Sequence, residues 1–204
     1  MRRLSLVLLA LVLPLGVAQA QDSYVSAPLV KVMESGKFYM KLSGSQTVED
    51  AEWASSPIAM SVELASRGGV SMSRTHTQMM DVVSLTTSTG TYRLDEAAKT
   101  WTAQPGAGAF AGGKLRFVRQ GSCRVNGEAG WYFDEYRADD GSSFTFYYNS
   151  DKVSVLELGA PDGEGLGALN LQSFSSYIPS NMYFCVGNDW KEDAGAGGMD
   201  ALGM

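Results

Sequence analysis

The chain has one histidine, and its setting invites a metal reading: Met72-Ser73-Arg74-Thr75-His76-Thr77-Gln78-Met79-Met80 mixes thioethers with an imidazole. Such ligands suit copper(I). On a strand, Met72, His76 and Met80 share one face, but four residues of strand span about 13 Å. The three cannot converge on one ion without a sharp bend or help from neighbouring strands, so the spacing favours an ordinary strand histidine. No metal or other cofactor is expected. Nucleophilic catalysis has no better footing, because no Gly-x-Ser-x-Gly elbow occurs and a serine working with His76 finds no adjacent carboxylate to orient the ring. The acidic pairs Glu49-Asp50, Asp134-Glu135 and Asp139-Asp140 could be called acid and base. Alternation sends Asp134 and Glu135 to opposite faces of a strand, and the other two pairs fall in turns, where solvated acids are common. Asp162-Gly163-Glu164-Gly165 has oxygen ligands without the carboxylate spacing of a calcium loop. The expectation is a protein that is not an enzyme.

Cys123 and Cys185 are the only cysteines, and no CxxC spacing exists to suggest zinc or redox chemistry. In an exported chain an even count implies one disulfide between them. Closing a loop of about sixty residues is worth roughly 4 kcal/mol on the chain-entropy view. The alternative is two buried free thiols.

The aromatic residues are a stronger lead. Trp131 and Phe133 share a face, as do Phe144, Phe146 and Tyr148, and hairpin pairing sets the two rows side by side with Leu115 and Phe117 nearby. Such rows are often plain core. Together with methionines, which adapt to ligands of variable shape, they outline an apolar binding face of Met40, Met60, Val62, Phe117, Trp131, Phe133 and Phe146.

Strands must position these side chains. From Lys37 onward apolar and polar residues alternate with period two over stretches of about six to ten residues: Phe38, Met40 and Leu42 face one way and Tyr39 and Lys41 the other, and Ile58, Met60, Val62 and Leu64 oppose Ser61 and Glu63. Asn126-Gly127, Asp139-Asp140-Gly141 and Asn149-Ser150-Asp151 supply hairpin-turn chemistry. Gln104 to Gly113 and Pro161 to Gly167 read as Gly-rich loops. Helical signal is confined to two turns over Pro28–Glu34 and one over Asp50–Ser55, while Tyr183–Val186 could pair at an edge. About ten strands in sequential hairpins make an all-β fold with few short helices: one large curled antiparallel sheet. An apolar face of that size has to be covered by helices, by closure or by a ligand.

The chain's first twenty residues predict export. Met1-Arg2-Arg3, the apolar run Leu4–Leu13 and Ala18-Gln19-Ala20 form a signal peptide cleaved after Ala20, with no Cys following for lipid attachment. The apolar run is too short to span a bilayer, and no later stretch approaches spanning length. The leader carries two arginines and no acid, so the remainder is more acidic than the net −6 of the whole chain. Such a surface repels nucleic acid and anionic headgroups. Residues 21–193 then form one β domain and 194–204 a disordered Gly/Ala/Met tail, in the periplasm or outside the cell.

Several segments resemble the outer-membrane lipoprotein carrier (LolA-like) fold and related exported proteins of uncharacterised function. They are Ser35-Gly36-Lys37-Phe38-Tyr39-Met40, then Thr91 to Trp101, then Trp131 to Tyr136 followed by Gly141 to Tyr148, and Ile178 to Phe184. The resemblance implies an unclosed half-barrel whose concave face, partly covered by short helices, binds a lipophilic small molecule or a lipid-modified protein. No functional arginine of the carrier maps onto this chain. The alternative is a non-catalytic envelope structural or protein-interaction module whose face is filled by its own side chains.

Overall fold

A computed structural model describes residues 24–47, 57–104, 110, 112–159 and 165–193. The leader at 1–20, the turn at 50–55 and the tail at 194–204 lie outside the described residues. One helix, α1 (Ala27–Glu34), is followed by β1 (Lys37–Thr47), β2 (Pro57–Arg67), β3 (Val70–Thr77), β4 (Asp81–Thr87), β5 (Gly90–Asp95), β6 (Thr100–Gln104), β7 (Leu115–Val125), β8 (Glu128–Ala138), β9 (Ser143–Tyr148), β10 (Val153–Gly159), β11 (Gly165–Ser175) and the short β12 (Lys191–Glu192). All twelve strands form one sheet in the order β12-β6-β5-β4-β3-β2-β1-β11-β10-β9-β8-β7.

The expected fold class is therefore present: mostly β, one helix among the described residues, and a single unclosed, curled sheet. Two meanders, β1 to β6 and β7 to β11, are joined by antiparallel pairing of β1 with β11. Curling follows from the connectivity. Strands β6 and β7 stand at opposite ends of the order, about 48 Å apart along a flat sheet at roughly 4.8 Å per strand. The residues linking them reach at most about 40 Å when fully extended. Only a curved sheet lets the connection close.

Local sequence explains the elements. Pro28 sits in the first turn of α1, Val30 and Met33 are on its buried side, and Gly36 leaves the helix at φ 68°, a conformation that glycine adopts without strain. Asn126 and Gly127, at φ 51° and 83°, make the tight hairpin between β7 and β8 that their pairing predicts. Two expectations change. Tyr183–Val186 is not a strand but part of a strap across the sheet, and β12 after it pairs in parallel with β6. β11 begins at Gly165, inside the expected loop.

The sheet is covered on opposite faces in its two halves. Phe38, Met40 and Leu42 of β1, Met60, Val62 and Leu64 of β2, and Phe144, Phe146 and Leu156 of β9 and β10 are buried on the face where α1 places Val30 and Met33. Residues of opposite parity, Ala65, Met72, Val83, Leu85 and Leu94, are buried on the other face, beneath a C-terminal strap that contributes Ile178, Met182, Tyr183, Phe184, Val186 and Trp190.

Candidate binding site

The α1-covered face carries most of the apolar residues expected to bind. Met40, Met60, Val62 and Phe146 are buried together there. Phe117 is half-buried against the same cluster, stacked on Tyr24 at 4.3 Å and edge-on to Tyr136 at 5.6 Å. Trp131 and Phe133 are a correction: they point to the opposite face. Register explains it, because Asp134 stands opposite Phe146 and Tyr136 opposite Phe144, so the even-numbered residues of β8 share the α1 side. Phe133 instead lies over Gly121, where an added Cβ would meet its ring at 2.8 Å, with the Arg119 guanidinium 5.2 Å from the ring centre.

That parity brings a carboxylate into the core. Asp134 is fully buried, and its Oδ2 accepts hydrogen bonds from the Ser26 hydroxyl at 2.7 Å and the Ser26 N–H at 3.3 Å. Its Oδ1 accepts from the Tyr148 hydroxyl at 3.0 Å, and Gln120 donates to that phenol, also at 3.0 Å. Ser26 is the residue at the head of α1, and its side chain does not cap the helix. It serves to latch the helix to β8. The Tyr136 hydroxyl meets Ser26 Oγ at 3.0 Å, and burial raises this phenol to about 12, so it stays protonated and able to donate. At the other end of α1, Glu34 Oε1 accepts from the Leu115 N–H at 2.9 Å. Phe110 adds to the cover, 4.9 Å from Phe144 and 6.3 Å from Phe38 between ring centres.

On the second face, polar contacts fasten the strap. Arg74 donates to both oxygens of Glu96, at 2.7 and 2.6 Å, and to the Asn181 carbonyl at 3.1 Å. The Tyr183 hydroxyl also donates to Glu96, and the Tyr183 N–H to the Met72 sulfur at 3.1 Å. Hydrogen bonding to Arg74 holds the Glu96 carboxyl below its ordinary value, against the opposing effect of burial. Burial and the Glu96 contact push the Tyr183 phenol upward.

The residues singled out for metal chemistry do not meet. Met72 is buried and engaged with the strap, Met80 is exposed, and His76 Nδ1 pairs with Asp81. Asp81 is a carboxylate partner that the sequence hides, because it approaches across strands, with Ser61 opposite His76 on the other side. The His76 and Asp81 side chains are each 73 % exposed, without the low-dielectric surroundings in which acyl transfer is stabilised.

The disulfide is a second correction. Cys123 on edge strand β7 and Cys185 in the strap are both free thiols. The strap packs on β3 to β6, at the far end of the strand order from β7. An even count of cysteines carries no information about that separation. Among the described residues no helix is long and apolar enough to cross a membrane.

No family model matches the chain, and no curated protein does. Similar solved structures include an uncharacterized conserved protein from Thermus thermophilus, at 10% identity over 83% of this chain and 99% of that one, with a TM-score of 0.37. The MucA/MucB complex of Pseudomonas aeruginosa is similar at 11% identity, 79% and 62% coverage and a TM-score of 0.31. MucB alone is similar at 12% identity, 83% and 66% coverage and a TM-score of 0.32. The chain spans less than two thirds of the length of MucB in both. At these values the likenesses assign no activity to the chain.

Proposed function

We propose that this is an exported, non-catalytic protein that binds a lipophilic molecule, an acyl chain or the lipid of a lipid-modified protein, on the α1-covered face of its sheet. One observation carries the reading. Among the described residues, the broadest apolar face of the sheet is roofed by an eight-residue helix, the residues just before it and Phe110, not by a second layer of structure. The roof is held by discrete latches, Ser26 to Asp134 and Glu34 to β7. Swinging α1 and Phe110 aside exposes Met40, Met60, Val62 and Phe146 in one contiguous surface, and an acyl chain replaces the contacts that the helix gives up. The LolA-like resemblance of the sequence supports the same use of the face, and the acidic surface disfavours nucleic acid as a partner.

The rival reading is a protein-interaction module with a self-filled core, favoured by the complete burial of Phe38, Met40, Leu42 and Phe146. Fluorescence titration with cis-parinaric acid, followed by displacement with palmitate, separates the two. Saturable binding of one probe per chain that palmitate reverses supports the ligand reading. A folded protein with no saturable binding at micromolar probe supports the module.

A further inference from the structure

An open hollow borders the middle of the strap. Residues 178–184 are fastened through Arg74, Glu96 and Met72, and the Arg67 guanidinium stands 4.7 Å from the centre of the Phe184 ring. The far end is fastened by the Lys99–Asp189 ion pair and by the pairing of β12 with β6. Between the two anchorages, Phe184, Cys185 and Val186 line one side of an open hollow of about 380 Å³, with residues of β4, β5 and β6 and the β4–β5 turn on the other. That volume lies near the lower end of small-molecule sites, which run from roughly 300 to 1,000 Å³.

The lining defines the ligand. Leu85, Leu94, Trp101, Phe184 and Val186 make it apolar, and among the described residues no Lys, Arg, Asp or Glu lines it, so a charged ligand would find no counter-charge there. Tyr92 and Trp101 meet edge to face, 87° apart with centres at 5.4 Å, presenting both a ring edge and a ring face to a third ring. Polarity is confined to one rim, where the hydroxyls of Thr87, Thr89 and Tyr92 form a chain with links of 2.8 and 3.0 Å. Hydroxyls both donate and accept, so this rim can bind a hydroxyl or a carbonyl equally. The modest volume and the aromatic lining favour a compact ring over an extended chain.

We propose that this cavity is a second binding site, for a neutral, compact aromatic molecule bearing one hydroxyl or carbonyl group, with its ring against Leu94, Trp101 and Phe184 and its oxygen on the Thr89–Tyr92 pair. It lies on the opposite sheet face from the lipophilic site and does not depend on that reading.

The test is calorimetric titration of the purified protein with 1-naphthol, alongside the same titration of Val186→Trp, which fills the hollow from the strap side, and of Thr89→Val with Tyr92→Phe, which strips the polar rim. The expected dissociation constant is on the order of tens of micromolar, ordinary for a ligand of about eleven heavy atoms. V186W weakens binding at least tenfold. The rim variant weakens 1-naphthol about fivefold, the loss of roughly one net hydrogen bond, and leaves naphthalene unchanged. Palmitate does not displace 1-naphthol. Absence of saturable binding, equal loss of naphthalene and 1-naphthol in the rim variant, or displacement by palmitate overturns the proposal, as does full affinity in a folded V186W. Should V186W not fold, the rim variant and the palmitate competition decide alone.

Discussion

Replacing Asp134 with alanine tests what holds α1 to the sheet. The carboxylate is fully buried and accepts three hydrogen bonds, two from Ser26 and one from Tyr148. Its removal leaves the Ser26 N–H and the Tyr148 hydroxyl short of an acceptor, at about 1–3 kcal/mol for each buried group left unsatisfied. The Ser26 hydroxyl keeps Tyr136 at 3.0 Å, so its loss is partial. Relief of the desolvation of a buried charge offsets some of the cost. The net expectation is a loss of about 3 kcal/mol for Asp134→Ala and about 1 kcal/mol for Ser26→Ala, read as changes in urea unfolding free energy. Because the latch acts on the helix, hydrogen exchange should accelerate most at the amides of Val30 to Glu34 and much less in β3 to β5. A loss below about 1 kcal/mol in Asp134→Ala, or faster exchange spread evenly over the sheet, refutes the latch.

Other predictions follow from the strap, the loop and the thiols. Arg74 lowers the carboxyl of Glu96 in the folded state, so this pair stabilises fully at neutral pH and its contribution is lost as pH falls through the depressed folded value. The urea midpoint of the wild type should therefore exceed that of Glu96→Gln at pH 7 by the equivalent of about 1 kcal/mol, the two converging as pH falls below the ordinary carboxylate range; a gap independent of pH contradicts the pair. Gly112 has φ 101°, and a Cβ there would stand 2.6 Å from the Gly36 Cα. Gly112→Ala should cost about 2 kcal/mol in thermal unfolding by pushing the loop that carries Phe110 off α1. Both cysteines are free, so a native thiol titration should find two per chain, exposed Cys185 reacting first. Burial raises the Cys123 thiol, so its rate should climb at a higher pH; an unreduced mass short of two protons contradicts this pairing state.

Much of the architecture is legible in the sequence because alternation is a local property. Phe38, Met40 and Leu42 share a face by period two alone, and Pro28 with the apolar spacing after it is enough to locate α1. Met40, Met60, Val62 and Phe146 group together for the same reason. The relation between strands is less legible. Whether Trp131 or Tyr132 sides with Phe146 depends on the register that the turn after Ala138 sets, where the Ala138 N–H donates to the Ser142 carbonyl at 2.8 Å; a slip of one residue would exchange the two faces of β8. Asp134 is hidden by the same ambiguity, since beside Glu135 it reads as a surface acid. The role of Tyr183 to Val186 escapes a sequence reading because apolar residues in a strap and in an edge strand look alike. Long-range contacts such as Arg74 with Glu96 and the strap leave no periodic trace, and neither does the separation of Cys123 from Cys185.

Native mass spectrometry of the protein purified from its native host, compared with its mass after denaturation, tests the binding reading most directly. The expected result is a discrete additional mass in the native spectrum, of an acyl or similarly lipophilic compound, released on denaturation and diminished when Met40 and Phe146 are replaced by polar residues in a variant that still folds. A native mass equal to that of the bare polypeptide in every preparation contradicts it and leaves the protein as an interaction module with a self-filled core.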